Sequence, residues 1–113
     1  TREERTFRMW MNSLDLGGTY IHNLYSDIAA DISLLKVIDY VEPGMVDWKR
    51  VNKTKLNRFK LIENANYAVK LCKEELRLNM PATGGVDIME GNHTLVCGLV
   101  WQLMRAHVLK MLR

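Results

Sequence analysis

The side chains that could carry chemistry in this 113-residue chain are scattered rather than clustered. Its three histidines, His22, His93 and His107, stand alone, and no two of them lie one helical turn apart. A metal site on a helix needs such a pair, or closely spaced cysteines, because several ligands must converge on one ion. We therefore predict structural or surface histidines and no metal site.

The two cysteines, Cys72 and Cys97, fall on the apolar faces of predicted helices. Free cysteine is among the most buried residue types, and disulfides are rare in cytosolic proteins. We interpret the pair as two buried, reduced thiols, and the alternative is a disulfide.

One pair of carboxylates, Asp27 and Asp31, lies one turn apart on a predicted helix and could resemble a catalytic pair. Asp27 is explained more simply by the favourable effect of a negative charge near a helix N-terminus. We expect Asp31 to be exposed to solvent. The serines lack a neighbouring base and the glycines lack a phosphate-binding pattern: Ser26, Ser33, Gly84, Gly85 and Gly91.

The sequence thus offers no set of nucleophile, base and metal ligands that could converge on a substrate. We predict that the protein is not an enzyme and that this chain binds no cofactor and no metal. Function is then expected on the exposed faces of the domain.

Composition and apolar spacing predict an all-α fold. Hydrophobic residues make up 48% of the chain and charged residues 26%, as is typical of soluble globular domains. No apolar run reaches the roughly 18 residues that a membrane span requires. Periodicity predicts four main helices plus short helical turns near Val46 and Val86. The main helices run from Thr1 to about Leu14, and about Leu24 to Val41, Phe59 to Leu76, and Thr94 to Leu112.

Turn residues separate these helices. Thr1 and Glu4 have the spacing of a capping box, and Gly17-Gly18 ends the first helix. Pro43-Gly44 ends the second helix, and the stretch from Pro81 to Gly85 forms a loop before the last one.

The last predicted helix is apolar on nearly every face. A helix that is hydrophobic all round is buried rather than laid on a surface. We therefore expect a buried C-terminal helix at the centre of the fold, with Asn92 or Thr94 as its N-cap and Trp101 buried.

Positive charge is concentrated in one segment. The chain carries a net charge of +3, yet residues 49–60 contain six basic side chains and no acidic one. The patch consists of Lys49, Arg50, Lys53, Lys55, Arg58 and Lys60. It is either a solvated loop and helix start or an electrostatic surface for an acidic partner. Trp48 and Phe59 are the aromatic residues nearby, and they do not form a stacking platform for bases.

Ordered blocks of residues along the chain resemble a calponin-homology domain. The blocks are Trp10–Leu14, Asp27-Ile28, Leu34-Leu35, Val46–Trp48, Glu63-Asn64, Asp87-Ile88, Gly91-Asn92 and Leu99–Trp101. Further segments are similar to the third calponin-homology domain of fimbrins, also called plastins: Arg2–Arg8, Val51–Lys53, Asn66–Val69 and Trp101–Arg105. Two features depart from that pattern, namely Ala30-Asp31 where fimbrin third domains often have Asp-Ala, and a short stretch between Lys53 and Phe59.

The resemblance implies a place in the actin cytoskeleton. Fimbrins are cytoplasmic actin-bundling proteins with two actin-binding cores, each built of two calponin-homology domains, after a calcium-binding EF-hand headpiece. By this resemblance, residues 1–113 are a single calponin-homology domain cut from a longer protein. Its partners would be F-actin and an adjacent calponin-homology domain in cis, and calcium would belong to a headpiece outside this chain.

The resemblance also implies where actin contacts lie, because in such domains they fall on the first and last helices. The outer faces of these helices supply the candidates Arg2, Arg5, Met9, Asn12, Gln102, Arg105, Leu109 and Arg113. Alternatively these are ordinary outer faces covered by loops or by a neighbouring domain.

Three functions therefore stay open at this point. The first is a filament-binding module, and the second is a scaffold or regulatory domain that packs on its neighbour and contacts actin little. The third is binding of an anionic lipid or nucleic acid through the basic patch. We favour the first, and expect neither nucleic acid nor membrane as a partner.

Overall fold

The computed structural model describes residues 1–80 and 83–112 and shows an all-helical fold, as predicted. Six α-helices form in these residues. They are α1 (Arg2–Ser13), α2 (Leu24–Ala30), α3 (Ser33–Val41), α4 (Arg58–Lys70), α5 (Gly85–Met89) and α6 (His93–Met111). A single 3₁₀ turn, Trp48–Arg50, lies between α3 and α4 where a short turn was predicted. The loop predicted to begin at Pro81 lies partly outside the described residues.

Helix α1 begins and ends where its sequence indicates. The hydroxyl of Thr1 accepts a hydrogen bond from the backbone N–H of Glu4 at 3.1 Å, which satisfies one free amide of the first turn. Phe7 and Met11 are buried on its inner face. The chain then turns through Gly17, whose φ of +63° is a left-handed conformation that favours glycine.

The predicted second helix is two helices, and the single span from Leu24 to Val41 was wrong. Asp31 adopts extended φ and ψ angles and ends α2. Its carboxylate accepts hydrogen bonds from the backbone N–H of Ser33, at 2.7 Å, and from the Ser33 hydroxyl. Short acidic side chains compete with the helix in this way. Asp31 is therefore half-buried at a break in the chain, not on an exposed helix face.

Helix α4 continues into a wider turn. Asn57 caps its start by accepting from the N–H of Lys60 at 2.9 Å. Residues Leu71–Glu75 form a π-helical turn, which the Leu76 N–H closes by donating to the Leu71 carbonyl at 2.9 Å. The whole unit corresponds to the helix predicted from Phe59 to Leu76.

The core lies where the helices meet. Helix α1 contacts α2 and α6, while α4 contacts α2, α3 and α5. Cys72 and Cys97 are both buried and free, which confirms the prediction of reduced thiols. Burial raises the pKa of the Cys72 thiol to about 12, so that it is not reactive at neutral pH.

Helix α6 is buried on one face only. Leu99, Val100 and Leu103 are buried, but Trp101 is 47% exposed, so the prediction of a buried Trp101 was wrong. Leu99, Val100 and Leu103 lie within about 100° of one another around the helix axis, whereas Trp101 lies about 100° beyond Val100. One side of α6 therefore faces solvent.

No helix in the described residues is both long and apolar enough to cross a membrane.

Candidate interaction surface on the first and last helices

The outer face of α1 carries exposed cationic and apolar side chains. Arg2 and Arg5 are exposed, and Met9 is 61% exposed. The apolar side chain of an exposed methionine gains no free energy of burial in the free domain, and methionine is enriched at protein interfaces. These three candidates are free to contact a partner.

Asn12, by contrast, is used inside the domain. Its side-chain amide donates to the Ile21 carbonyl at 2.9 Å, and its side-chain oxygen accepts from the Ile21 N–H at 2.7 Å. Both backbone groups of Ile21 are thereby satisfied, and Ile21 is fully buried. Asn12 therefore holds the loop between α1 and α2 in place.

Glu4 also connects α1 to α2. Its carboxylate accepts from the Leu24 N–H at 2.9 Å and pairs with the Arg8 guanidinium at 2.9 Å. Burial raises the pKa of Glu4, but the hydrogen bond from Leu24 and the charge of Arg8 offset burial, so the net pKa lies below its ordinary value. These contacts fix the position of α1 in the domain and therefore the position of its outer face.

Three of the α6 candidates share one groove. Gln102, Arg105 and Leu109 line a groove of about 560 Å³ between α6, the end of α3 and the segment 75–79. The Gln102 amide donates to the Asn79 carbonyl at 3.2 Å, which ties that segment to α6. Arg105 is exposed and Leu109 is 46% exposed, so both can reach a partner. Arg113 lies outside the described residues.

Trp101 belongs to this surface, although the sequence analysis placed it in the core. The Arg105 guanidinium lies 6.0 Å from the centre of its ring, at the outer limit of a cation–π contact. Gly98 and Arg105 precede and follow Trp101 by three and four residues, and both are exposed. Residues three and four positions apart share one face of a helix, so these two non-apolar neighbours were the signal in the sequence that could have identified the exposed face.

A second groove, of about 440 Å³, runs between α1 and α6. Glu3 and Phe7 line it from α1, and Thr94, Gly98 and Trp101 line it from α6. Trp101 thus lies in the groove where α1 and α6 face each other. The α1 candidates Arg2, Arg5 and Met9 do not line either groove and lie on the projecting face of α1 instead.

The end of α6 presents a mostly apolar surface. Val108, Met111 and Leu112 are 43%, 66% and 77% exposed. Lys110, in the same stretch, pairs with Glu42 at 3.1 Å and donates to the Val41 carbonyl at 3.2 Å, so it connects the helix end to the end of α3. An exposed apolar surface of this kind is typical of contact with another protein.

The basic patch lies elsewhere, around the 3₁₀ turn and the start of α4. Five of its six side chains are exposed, and that of Lys60 is half-buried. The Arg50 guanidinium lies 4.4 Å above the Tyr67 ring. The patch thus lies on the 3₁₀ turn, the start of α4 and the segment that joins them.

The isolated histidines were predicted to be structural or at the surface, and the structure agrees: His22 and His93 are exposed, His107 is half-buried, and each contacts an aromatic ring. His93 stacks on Tyr25 with ring centres 3.7 Å apart, and His107 lies 5.3 Å from Tyr40. Asp27 accepts from two backbone N–H groups at the start of α2, which confirms the helix N-terminus interpretation. In residues 1–80 and 83–112 no three His, Cys, Asp or Glu side chains are grouped to hold a metal ion.

Residues 1–108 match the family profile described as the calponin homology (CH) domain. The chain is 44% identical to Fimbrin-5 of Arabidopsis thaliana over 114 residues, which is 100% of this chain and 16% of that protein. It is also 44% identical to Plastin-1 of Mus musculus over 116 residues, 99% of this chain and 18% of that protein. The chain therefore spans less than a fifth of the length of these relatives.

A solved structure shares the fold. The crystal structure of the actin-crosslinking core of Schizosaccharomyces pombe fimbrin aligns with a TM-score of 0.89 at 40% sequence identity. The alignment covers 98% of this chain and 24% of that chain.

Proposed function

Because the chain belongs to the calponin homology (CH) domain family, we propose that it is an F-actin-binding module of a longer, actin-bundling protein of the fimbrin and plastin type. The observation that carries the proposal is the likeness, over nearly the whole chain, to the actin-crosslinking core of a fimbrin. The module acts without catalysis and without a cofactor. It works in the cytoplasm, at the actin cytoskeleton.

The surface that we assign to the filament consists of Arg2, Arg5 and Met9 on α1 and Trp101, Arg105 and Leu109 on α6. It combines exposed cations with exposed apolar side chains. Tryptophan and arginine are the residue types most often found where binding energy is concentrated. Cations at the margin speed the approach to an acidic partner and are screened by salt.

The size of the surface limits the affinity of the domain alone. One small domain offers one or two helix faces, which is the low end of interface area, and association entropy offsets most of the gain. A second domain joined to the first makes its own contact intramolecular and can raise affinity by roughly 10²–10⁴. We therefore propose that the adjacent CH domain in cis is required for firm binding.

Co-sedimentation with F-actin tests this proposal. It compares this chain alone with the longer chain, meaning this domain joined to the CH domain that follows it in the parent protein. We expect weak or undetectable binding of the single domain, clear binding of the longer chain, and weaker binding as salt is raised. The proposal fails if the longer chain does not sediment with filaments at low salt.

The exposed end of α6 favours a second function, in which the domain is mainly a scaffold for its neighbour. Val108, Met111 and Leu112 form an apolar surface that a domain in cis would cover. In that case Val108→Glu should lower the melting temperature of the longer chain and leave that of the single domain unchanged. The scaffold function alone then predicts that filament co-sedimentation is absent from both chains.

A further inference from the structure

We propose that the basic patch, residues 49–60 together with the exposed ring of Phe59, is a contact surface for a membrane bilayer that carries anionic lipids. The proposal does not depend on the filament function. From the sequence we expected no membrane partner. In the structure Phe59 is 71% exposed, and it lies between Arg58 and Lys60 of the patch.

The cations of the patch form no ion pair within the described residues. In residues 1–80 and 83–112 the ion pairs are Arg8–Glu4 and Lys110–Glu42, and neither involves the patch. The acidic residues that flank the patch along the chain, Asp47 and Glu63, accept hydrogen bonds from the Lys49 N–H and the Asn52 side chain and keep their charge. With six cations beside these two carboxylates, the region keeps a net positive charge that faces solvent.

The first part of the charged segment is anchored to α4. Asn64, buried in α4, accepts from the Asn52 N–H at 2.8 Å and donates to the Asn52 carbonyl at 2.9 Å. The Tyr67 hydroxyl accepts from the Asp47 N–H at 2.9 Å. Val51 is buried between these two attachments. The backbone that carries Lys49 and Arg50 is therefore fixed, and cations on a fixed backbone lose less entropy on binding.

Helix stability does not explain the charges at the start of α4. Its first turn contains Arg58 and Lys60 and no acidic residue. Positive side chains near a helix N-terminus are unfavourable, because that end already carries a partial positive charge. Local rules are broken in this way mostly at functional sites.

The exposed ring favours a bilayer over a soluble anion. Neither groove beside α6 includes a residue of the patch, and Phe59 projects from the surface instead of lining a groove. A bilayer accommodates a projecting aromatic ring at its interface while anionic headgroups meet the cations. Binding of this kind is reversible, because one patch without a lipid anchor gives only moderate affinity.

Vesicle flotation tests the proposal with this chain. The probes are vesicles of phosphatidylcholine alone and vesicles that also contain 30% phosphatidylserine, with tripolyphosphate as a soluble anion. We expect binding to the anionic vesicles and not to vesicles of phosphatidylcholine alone, and loss of that binding in high salt. We also expect the soluble anion to bind the cations. Lys53→Glu/Lys55→Glu should weaken vesicle binding by tenfold or more, since each basic residue near such a surface contributes about fivefold. Lys70→Glu/Lys73→Glu, which makes the same change in net charge at the end of α4 and in the π-helical turn that follows, should change vesicle binding little.

Phe59→Ala separates a bilayer from a simple anion. It should weaken vesicle binding several-fold and leave tripolyphosphate binding unchanged. The proposal is overturned if anionic vesicles do not bind, if both charge reversals weaken binding equally, or if Phe59→Ala has no effect on vesicles. It is also overturned if Lys53→Glu/Lys55→Glu lowers filament binding of the longer chain and not vesicle binding, because the patch would then belong to the filament surface.

Discussion

At the scale of single residues, Glu4 shows how the surface is supported. Its carboxylate joins the backbone of Leu24 to the guanidinium of Arg8, and it is nearly buried. A buried N–H without a partner costs about 1–3 kcal/mol, so this side chain contributes to the stability of the fold. Arg2 and Arg5 are then free for contacts, because Glu4 pairs with Arg8.

The lowered pKa of Glu4 predicts an acid-dependent loss of stability. A carboxylate whose pKa is lower in the folded state stabilises the fold above its unfolded pKa, and this contribution is lost as pH falls through the folded pKa. We expect the unfolding free energy of Glu4→Gln to fall less between pH 7 and acid than that of the original chain. Urea unfolding at several pH values measures it. Glu3→Gln is the control, because Glu3 is exposed on the same turn, and an equal flattening in that variant would contradict the assignment.

Single side chains were predictable from sequence where the partner was close along the chain. The capping of α1 by Thr1 and the role of Asp27 at α2 follow from neighbours within five residues. Asn12 and Trp101 were not predictable in the same way. Asn12 bonds to Ile21, nine residues away, and the exposure of Trp101 depends on where α1 and the segment 75–79 contact α6.

At the scale of helices, the contact between α4 and α5 is unusually close at Gly85. A Cβ atom at this position would lie 2.8 Å from the backbone nitrogen of Asn66 and would overlap the Asn66 side chain. Gly85→Ala should therefore destabilise the fold by about 1–3 kcal/mol through overpacking. That cost lowers the melting temperature by about 4 °C or more.

Gly84 provides the matched control for this prediction. A Cβ atom there meets only the Asp87 carboxylate, at 3.8 Å, and the backbone is extended. Gly84→Ala should thus leave the melting temperature within about 2 °C of the original, as measured by circular dichroism. Equal melting temperatures for both variants would show that α5 does not pack as closely as described.

The orientation of α6 is testable in the same way. Leu103 is fully buried, and Leu103→Ala should cost about 2–5 kcal/mol through the cavity it leaves. Trp101→Ala removes a larger side chain but one that is 47% exposed, and should cost less than Leu103→Ala, about 1–3 kcal/mol for the covered half of the ring. Chemical denaturation of the two variants gives both values, and a larger cost for Trp101→Ala would mean that the ring is in the core.

Helix existence was predictable and helix breaks were not. The apolar spacing identified all four main helical regions, because burial of one face gives a regular period. The break between α2 and α3 is invisible to that period, since Ile28, Leu35 and Ile38 are buried on both sides of it. The Asp31 side chain, which bonds to Ser33, determines the break. That hydrogen bond competes with the helical one, and the spacing of apolar residues carries no information about it.

At the scale of the whole molecule, the domain has two separate exposed surfaces of different chemistry. The surface that we propose for the filament, on α1 and α6, mixes arginine with Trp101 and Met9, whereas the basic patch beside α4 is almost purely cationic around Phe59. Most candidate residues of the first surface came from a family resemblance, and those of the second came from charge. The exposure of each side chain could not be read from the sequence, because it depends on how α1 and α4 pack on their neighbours.

The assignment of the filament surface is tested most directly by reversing its charges in the longer chain. Arg5 and Arg105 are both exposed and are not needed for packing, so Arg5→Glu/Arg105→Glu should leave the melting temperature within about 2 °C. Lys70→Glu/Lys73→Glu is the control, with the same change in net charge outside this surface. We predict that F-actin co-sedimentation at low salt weakens at least about tenfold in the first variant and less than about twofold in the control. If the first variant binds filaments as well as the original chain, α1 and α6 do not form the filament surface.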